Sequence, residues 1–209
     1  MPRPASFARA AGELAARDPV IARLRAAVGP PTVRPPRGTP FEALARSICF
    51  QQLSGKAAGT IYGRFETAVG GAVTPQAVLG TPLEDLRGAG LSGAKAASIV
   101  DLADKVLDGT VPLGSLGRLD DDELVSRLVV VRGIGRWTAE MFLIFQLRRL
   151  DVWPVDDLGV RKGYGVAWGL AGMPTPKELV ALGEALRPYR SVAAWYCWRA
   201  AEMSDLPAR

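Results

Sequence analysis

Two adjacent carboxylates, Asp156 and Asp157, are the residues of this chain best suited to acid–base or electrostatic chemistry. They follow Pro154 and Val155 and stand directly before a helix that we expect to begin at Leu158. A positioned carboxylate can stabilise positive charge that develops during a reaction and can orient or deprotonate an attacking water. Asp157 would also cap the expected helix, whose N-terminus favours negative charge. The pair therefore offers a candidate catalytic carboxylate, and the alternative is a plain helix cap.

The chain contains no histidine, and this excludes several classes of active site. A Ser-His-Asp triad, a Cys-His pair, an HExxH zinc site and a zinc finger all require histidine. Any acid–base step must therefore use a carboxylate, a lysine, a tyrosine or water.

A glycine turn lies upstream of the carboxylates, within the segment VRGIGRWTA at 131–139. It separates the two helices of a predicted hairpin at 124–146. Because Gly133 and Gly135 carry no side chain, main-chain N–H groups could approach a phosphate at the start of the second helix. Contacts of this kind hold DNA without reading its sequence. The segment therefore predicts a hairpin that grips DNA, with a purely structural turn as the alternative.

Composition favours a compact protein with a polyanionic partner. The chain has 209 residues, 48% of them hydrophobic, and a net charge of +5 at pH 7 that is carried mostly by arginine. Arginine forks match phosphate oxygens well, although a GC-rich genome would also enrich arginine. No apolar run approaches the ~20 residues that a membrane span requires, and the N-terminus lacks a signal-peptide core. We therefore expect a cytoplasmic, nucleoid-associated protein with no membrane partner.

Helix signals dominate the chain and predict an all-α fold of about ten short helices. Threonine or aspartate followed by proline, a combination typical of a helix start, occurs five times. Apolar residues recur at spacings of three and four, as in Met141, Ile144 and Phe145. We expect no regular structure before about Ala10. The cap–proline pairs begin at Asp18, Thr39, Thr74, Thr81 and Thr175, and further caps are expected at Ser54, Ser92 and Asp120 or Asp121.

Several motifs in the same order give the chain a resemblance to a known family. They are ICFQQLSGKAA at 48–58, GLSGAKA at 90–96, GIGRWTA at 133–139, DLG at 157–159 and RPYRS at 187–191. The chain resembles the helix-hairpin-helix (HhH-GPD) DNA glycosylases, and among them the alkylpurine branch, the 3-methyladenine DNA glycosylase II (AlkA/Mag) type. The resemblance covers about residues 18–202.

The resemblance implies one glycosylase domain over residues 1–209, with two helical lobes flanking a DNA- and base-binding cleft. The middle lobe would span about 54–149 and contain the hairpin. The other lobe would combine about 11–53 with 150–209. The N-terminal β lobe of some members has no room here. The iron–sulfur cluster of other branches needs four cysteines, and this chain has two, Cys49 and Cys197, which we expect to be buried free thiols.

The resemblance also implies a catalytic residue and a reaction type. Aligning DLG with the family selects Asp157, whereas the endonuclease-like pattern Pro-Val-Asp selects Asp156, and the hairpin-to-aspartate spacing favours Asp157. Bifunctional relatives place a lysine directly after Gly-x-Gly-x, where this chain has Trp137. We therefore expect a monofunctional enzyme without lyase activity. It requires no cofactor, although main-chain carbonyls of Arg132 and Ile134 could hold a K⁺ or Na⁺ ion.

Further site residues follow from the same resemblance. Aromatic positions match an alkylpurine pocket, since indole faces bind a cationic base by stacking and cation–π attraction. An apolar wedge must fill the space that a flipped base leaves. Basic side chains near motif turns are candidates for phosphate contacts. These candidates include Lys95 and Arg161. The predicted base pocket is Trp137, Trp198, Gln51 and Phe50; the wedge is Leu53 with Gln52; the phosphate contacts are Gly133, Gly135, Arg136, Lys56 and Lys162.

The resulting expectation is a monomeric DNA glycosylase that flips out and excises alkylated purines from double-stranded DNA, starting base excision repair. Such bases include 3-methyladenine and 7-methylguanine. The alternatives are a related glycosylase acting on other lesions and a non-catalytic DNA-binding module. Pocket width decides which base is preferred, and differences of one methyl group are small in energy.

Overall fold

The structure, a computed structural model, describes residues 6–36 and 38–204, and the regular elements in these ranges are helices. Within them lie twelve α-helices and two short 3₁₀-helices, and no strand. The all-α prediction is confirmed, and the number of helices slightly exceeds the expected ten. The α-helices are α1 Phe7–Ala15, α2 Pro19–Val28, α3 Pro40–Phe50, α4 Gly55–Ala68, α5 Pro75–Leu79, α6 Leu83–Gly88, α7 Gly93–Leu107, α8 Asp121–Leu128, α9 Arg136–Phe145, α10 Leu158–Trp168, α11 Pro176–Leu182 and α12 Arg190–Ser204; the 3₁₀-helices are Leu116–Arg118 and Glu184–Leu186.

Side-chain caps start most of these helices where the sequence predicts them. A cap of this type contributes about 0.5–2 kcal/mol. The Thr81 prediction is wrong: α6 begins after Pro82, which offers no side-chain cap, and the Thr81 hydroxyl donates to the Ala77 carbonyl. The expectation of no regular structure before Ala10 is also wrong, because α1 begins at Phe7. The confirmed caps are Asp18, Thr39, Ser54, Thr74, Ser92, Asp120, Asp157 and Thr175.

The chain divides into two compact units. Residues 36–142 form one, which we call the hairpin unit, and residues before 36 and after 142 form the other, which we call the carboxylate unit. These boundaries differ from the predicted lobes, 54–149 against 11–53 with 150–209. The difference at the first boundary arises because α3 packs against α4 and α7, inside the hairpin unit.

In the hairpin unit, α7 is the central helix. It packs against α3, α5 and α6. The apolar side chains of these helices are removed from water, and each large one contributes about 1.5–3 kcal/mol. The fully buried large side chains include Leu44, Ile48, Phe65, Leu86, Ile99, Leu102, Leu124 and Leu128.

In the carboxylate unit, α10 packs along α12, and α1 and α2 pack against α12. Leu14, Ile21, Val160 and Tyr196 are fully buried between these helices. This packing holds the start of α10, where the carboxylate pair lies, against the middle of α12.

Both cysteines are free and buried, as predicted. Burial raises the pKa of the Cys49 thiol to about 11. Burial, and secondarily the nearby Asp157, also raises the pKa of Cys197. Neither thiol is therefore a thiolate near neutral pH. In the part of the chain that the structure describes, no helix is long and apolar enough to cross a membrane.

Candidate active site and DNA-binding elements

The two adjacent aspartates have different surroundings in the carboxylate unit. Asp157 is buried, with 9% of its surface exposed, whereas Asp156 is exposed. Asp157 is the N-cap of α10, and its Oδ1 accepts a hydrogen bond from the Val160 amide at 2.8 Å. A buried carboxylate with a fixed orientation at a helix N-terminus suits an electrostatic role better than a solvated one.

Trp198 of α12 provides a second donor to the same carboxylate. Its indole Nε1 donates to Asp157 Oδ1 at 2.9 Å. This contact requires glycine at position 159: a Cβ there would lie 2.9 Å from Trp198 Cδ1 and 3.2 Å from Asp157 Oδ1. The DLG motif therefore has a physical explanation, because the aspartate caps the helix and the glycine admits the tryptophan.

The segment before the aspartates is anchored to the start of α12. Asp151 accepts hydrogen bonds from the Arg190 guanidinium at 2.9 and 3.0 Å and from Arg187 at 2.7 Å. The Val152 amide donates to Ser191 Oγ at 2.9 Å. The RPYRS motif is thus explained as an anchor for the segment that leads to Asp157.

An aromatic contact that sequence reasoning missed completes this region. Phe145 stacks on Trp198, with 5.7 Å between ring centroids and an interplanar angle of 23°. Although Phe145 belongs to an apolar helical pattern, 42% of its surface is exposed. A large exposed aromatic beside a tryptophan is a signal that only the folded chain provides.

The hairpin adopts the predicted helix–turn–helix in the hairpin unit, between α8 and α9. Gly133 has φ 77°, a left-handed conformation that favours glycine, and a Cβ there would lie 2.7 Å from Ser98 Oγ. Gly135 is not in this left-handed conformation. A Cβ on Gly135 would meet nothing within 4 Å, so its position faces open space beside the start of α9.

Polar contacts hold the hairpin turn in place. The Arg132 amide donates to Asp101 Oδ2 at 2.7 Å, and the Gly133 carbonyl accepts from Gln51 Nε2 at 2.9 Å. The Gly133 carbonyl therefore has a protein partner, and the side-chain amide of Gln51, a residue predicted to line the base pocket, lies against the hairpin turn.

The predicted wedge lies in the turn between α3 and α4. Leu53 is 41% exposed although it is a large apolar side chain, and Gln52 has φ 57°, which is rare outside glycine. An exposed leucine at the tip of a turn suits insertion between bases better than core packing.

The remaining predicted site residues have varied surroundings. Trp137, in the first turn of α9, is 48% exposed, as a base-stacking residue would be. Phe50 is half-buried, with the Arg46 guanidinium 4.0 Å from its ring centroid. Arg136 forms an ion pair at 2.9 Å with Glu140 one turn later. Lys56 is exposed in the first turn of α4.

Three further basic residues in or near the motifs make contacts within the protein. Lys162, in the second turn of α10, borders a small groove with Val166 and Met173. Arg161 donates to the Pro174 carbonyl at 2.9 Å. Lys95 donates to main-chain carbonyls at the end of α3. Arg161 and Lys95 therefore both have partners within the protein.

Comparisons with known proteins agree with this arrangement. Residues 45–188 match the model of the HhH-GPD superfamily base excision DNA repair proteins. DNA-3-methyladenine glycosylase 1 of Schizosaccharomyces pombe is 38% identical over 169 residues, which cover 79% of this chain and 74% of that protein.

Solved structures give the same result. The S. pombe 3-methyladenine DNA glycosylase Mag1 in complex with abasic DNA is 36% identical, with a TM-score of 0.77 over 95% of this chain and 99% of that one. A DNA-3-methyladenine glycosidase from Bacillus halodurans is also 36% identical, with a TM-score of 0.85 over 92% of this chain and 88% of that one. With the hairpin, the capped aspartate and these matches together, the chain belongs to the HhH-GPD superfamily of base excision DNA repair proteins.

Proposed function

We propose that this protein is a monofunctional DNA glycosylase that flips out and hydrolytically excises alkylated purines from double-stranded DNA. The observation that carries the proposal is the buried Asp157 carboxylate, fixed by α10 and Trp198, in a chain of the base excision repair superfamily. The relatives named as 3-methyladenine glycosylases support alkylated purines as the substrate class.

Asp157 is the proposed catalytic residue. As the bond between C1′ and the base lengthens, positive charge builds on the sugar, and the carboxylate stabilises it. Water then forms the new bond to C1′, the glycosidic electron pair leaves with the base, and the water proton passes to Asp157 or to solvent. A purine alkylated at N3 or N7 is cationic and leaves as a neutral base, so one carboxylate suffices without a separate acid.

The hairpin and the wedge are the proposed DNA-holding elements. The start of α9, with Gly133 and Gly135, would receive a phosphate, and Leu53 would fill the space left by the extruded nucleotide. A K⁺ or Na⁺ ion held by carbonyls of the turn would add positive charge facing the DNA. Trp137 would stack on the cationic base, an attraction of about 1–2 kcal/mol.

Trp137 also supports the absence of lyase activity, because an indole has no amine to form a Schiff base with C1′. The product is then an intact strand with an abasic site. Borohydride, which reduces Schiff bases, should trap no covalent complex between the protein and abasic DNA. We further propose that the enzyme acts as a monomer on nucleoid DNA in the cytoplasm.

The deciding experiment measures base release from DNA treated with a methylating agent, under single-turnover conditions. It compares the wild type with Asp157→Asn and with the neighbouring Asp156→Asn as a matched control. Both variants change one carboxylate to an amide of the same shape, and only Asp157 is buried and bonded to Trp198. We expect Asp157→Asn to lose release by about 10²-fold or more while still binding abasic DNA, and Asp156→Asn to retain it.

Other outcomes would redirect the proposal. Loss of release in Asp156→Asn alone would transfer the catalytic role to that residue. Wild-type protein that binds DNA but frees no methylated purine would refute the alkylpurine activity, leaving another lesion or a non-catalytic binding module.

A further inference from the structure

The turn that carries the predicted wedge is strained and lacks apolar support at its tip. Gln52 adopts φ 57°, and the next residue, Leu53, is 41% exposed. A non-glycine residue in this conformation persists only where the surrounding structure holds it. The main-chain bond from the Leu53 amide to the Phe50 carbonyl is long, at 3.4 Å, so the turn needs support from elsewhere.

Lys95, from α7, supplies that support. Its ammonium donates to the carbonyl of Cys49 at 2.8 Å and to the carbonyl of Gln51 at 2.7 Å. Cys49 lies in the last turn of α3 and Gln51 directly follows the helix, where helical partners are missing and the helix dipole is negative. The Lys95 ammonium is therefore bound at the C-terminal end of α3, immediately before Gln52.

The same face of α7 also holds the hairpin turn. Ser98 and Asp101 follow Lys95 at intervals of three residues, which places all three along one side of the helix. Ser98 packs beneath Gly133, and Asp101 accepts from the Arg132 amide at 2.7 Å. Gln51 joins the two turns directly, since its side-chain amide donates to the Gly133 carbonyl at 2.9 Å.

We propose that Lys95 is a positioning residue for base extrusion: its ammonium holds the end of α3 so that Gln52 and Leu53 stand preformed beside the hairpin. The wedge then enters the DNA without first paying the entropy of ordering its own turn. Lys95 acts through Leu53 and contacts no phosphate. The inference rests on the proposed function for the role of Leu53 as a wedge, but wedge insertion can be measured without base release.

The first test uses a duplex with a tetrahydrofuran abasic-site analogue next to 2-aminopurine, whose fluorescence rises when it is unstacked. At saturating protein we expect wild type to raise the fluorescence, Lys95→Met to lose most of the increase, and Lys95→Arg to regain it. Lys95→Gln is a second neutral variant, and thermal melting establishes which variants are folded. Lys177→Met is the matched lysine control and should keep the fluorescence increase, because Lys177 is exposed on α11, outside the predicted DNA-binding elements.

Lys95 and Lys56, a predicted phosphate contact, should differ in salt dependence. Lys56→Met should reduce the slope of log affinity against log salt by about one. Lys95→Met should leave the slope unchanged. A fall of about one in the slope for Lys95→Met would identify Lys95 as a phosphate contact and overturn the inference.

The second test compares excision of one alkylated purine from a normal pair and from a mismatch, where extrusion costs less. We expect Lys95→Met to slow single-turnover release from the pair by about 10- to 100-fold, and release from the mismatch far less. Equal slowing on both substrates, or an undiminished fluorescence signal in a folded variant, would overturn the inference. If wild type unstacks the probe but frees no base, the proposed function fails and the role of Lys95 stands.

Discussion

At the scale of single residues, the environment of Asp157 distinguishes it from an otherwise identical neighbour. Asp157 Oδ1 accepts from one main-chain amide and one indole, whereas Asp156 is exposed to water. The small size of Gly159 permits this geometry, because Trp198 occupies the space that a Cβ would need. Orientation of one carboxylate therefore depends on a residue with no functional group.

Gly159→Ala should disturb the orientation of the Asp157 carboxylate in a chain that still folds. The new Cβ would lie 2.9 Å from Trp198 Cδ1, so the indole must move away from Asp157. Misplacement by about 1 Å can cost about 10²-fold in rate, and we expect a loss of that order in single-turnover base release. Alanine is a better helix former than glycine by about 0.8–1 kcal/mol, which partly offsets the clash in the free energy of unfolding.

Gly12→Ala, in α1 of the same unit, is the matched control. A Cβ there meets nothing within 4 Å, so the rate should stay at the wild-type value. Trp198→Phe, which removes the indole N–H without adding atoms beside Asp157, should slow release as well. Wild-type rates in both Gly159→Ala and Trp198→Phe would show that the hydrogen bond from Trp198 to Asp157 does not contribute to base release.

At the scale of elements, α7 is the support of the hairpin unit. Its buried face carries Ile99 and Leu102, and its polar side reaches the hairpin turn through Asp101. Burial acts to raise the pKa of Asp101, but hydrogen bonds from Lys105 and from the Arg132 amide outweigh it and hold the pKa below its ordinary 3.8. Because the folded chain prefers the charged form, Asp101 stabilises the fold when ionised.

Asp101→Asn should lower the free energy of unfolding by about 1–2 kcal/mol at pH 7, since a partly exposed charge-assisted bond is lost. The sign of the pH dependence follows from the lowered pKa. The difference between variant and wild type should be fully present above the ordinary value of 3.8 and should disappear as the pH falls through the lower folded-state value. Urea unfolding at a series of pH values measures this.

Asp104→Asn, exposed on the same helix, is the control and should change stability by less than about 0.5 kcal/mol. If the difference in free energy of unfolding between Asp101→Asn and the wild type grew as the pH fell, Asp101 would not stabilise the fold as an ionised side chain.

At the scale of the whole molecule, charge governs the encounter with DNA. The net charge of +5 favours association with a polyanion, and each phosphate neutralised releases counterions. Several of the basic residues near the motifs already have partners within the protein. Arg136 is paired with Glu140, while Lys95 and Arg161 are bonded to main-chain carbonyls.

Lys56→Gln should weaken binding to abasic DNA of any sequence and reduce the salt slope by about 0.9, the value for one phosphate contact. Arg64→Gln is the control, because Arg64 is exposed two turns further along α4 and lies away from the helix start. Fluorescence anisotropy between about 50 and 200 mM salt measures both slopes. Equal slopes for the wild type and Lys56→Gln would exclude Lys56 as a phosphate contact.

Local signals predicted much of the fold because helix starts are decided by neighbouring residues. A threonine or aspartate before proline caps a helix through bonds to amides two or three residues away, as at Thr39 and Thr175. The rule failed at Thr81, where the hydroxyl bonds back to Ala77 in the preceding helix. The unit boundary near residue 36 depends on the packing of α3 against α7, which no local signal reports.

The candidate site was predictable in its residue types and only partly in its contacts. Asp157, the hairpin glycines and the exposed Leu53 were identified from motifs and resemblance. The Gln51 amide bonds to the hairpin turn, and Phe145 stacks on Trp198. Each of these partners is remote along the chain, so no local pattern reports it.

The sequence by itself determined the helical fold, the absence of histidine chemistry and the position of a carboxylate at a helix start, because these depend on composition and on residues a few positions apart. Only the tertiary structure decided which aspartate is buried, what Gly159 makes room for, and which lysine supports the wedge turn. Those properties arise where α12 meets α10 and where α7 meets α3, through contacts between residues some 40 positions apart. Burial and orientation are set by such packing, and packing is a property of the folded chain.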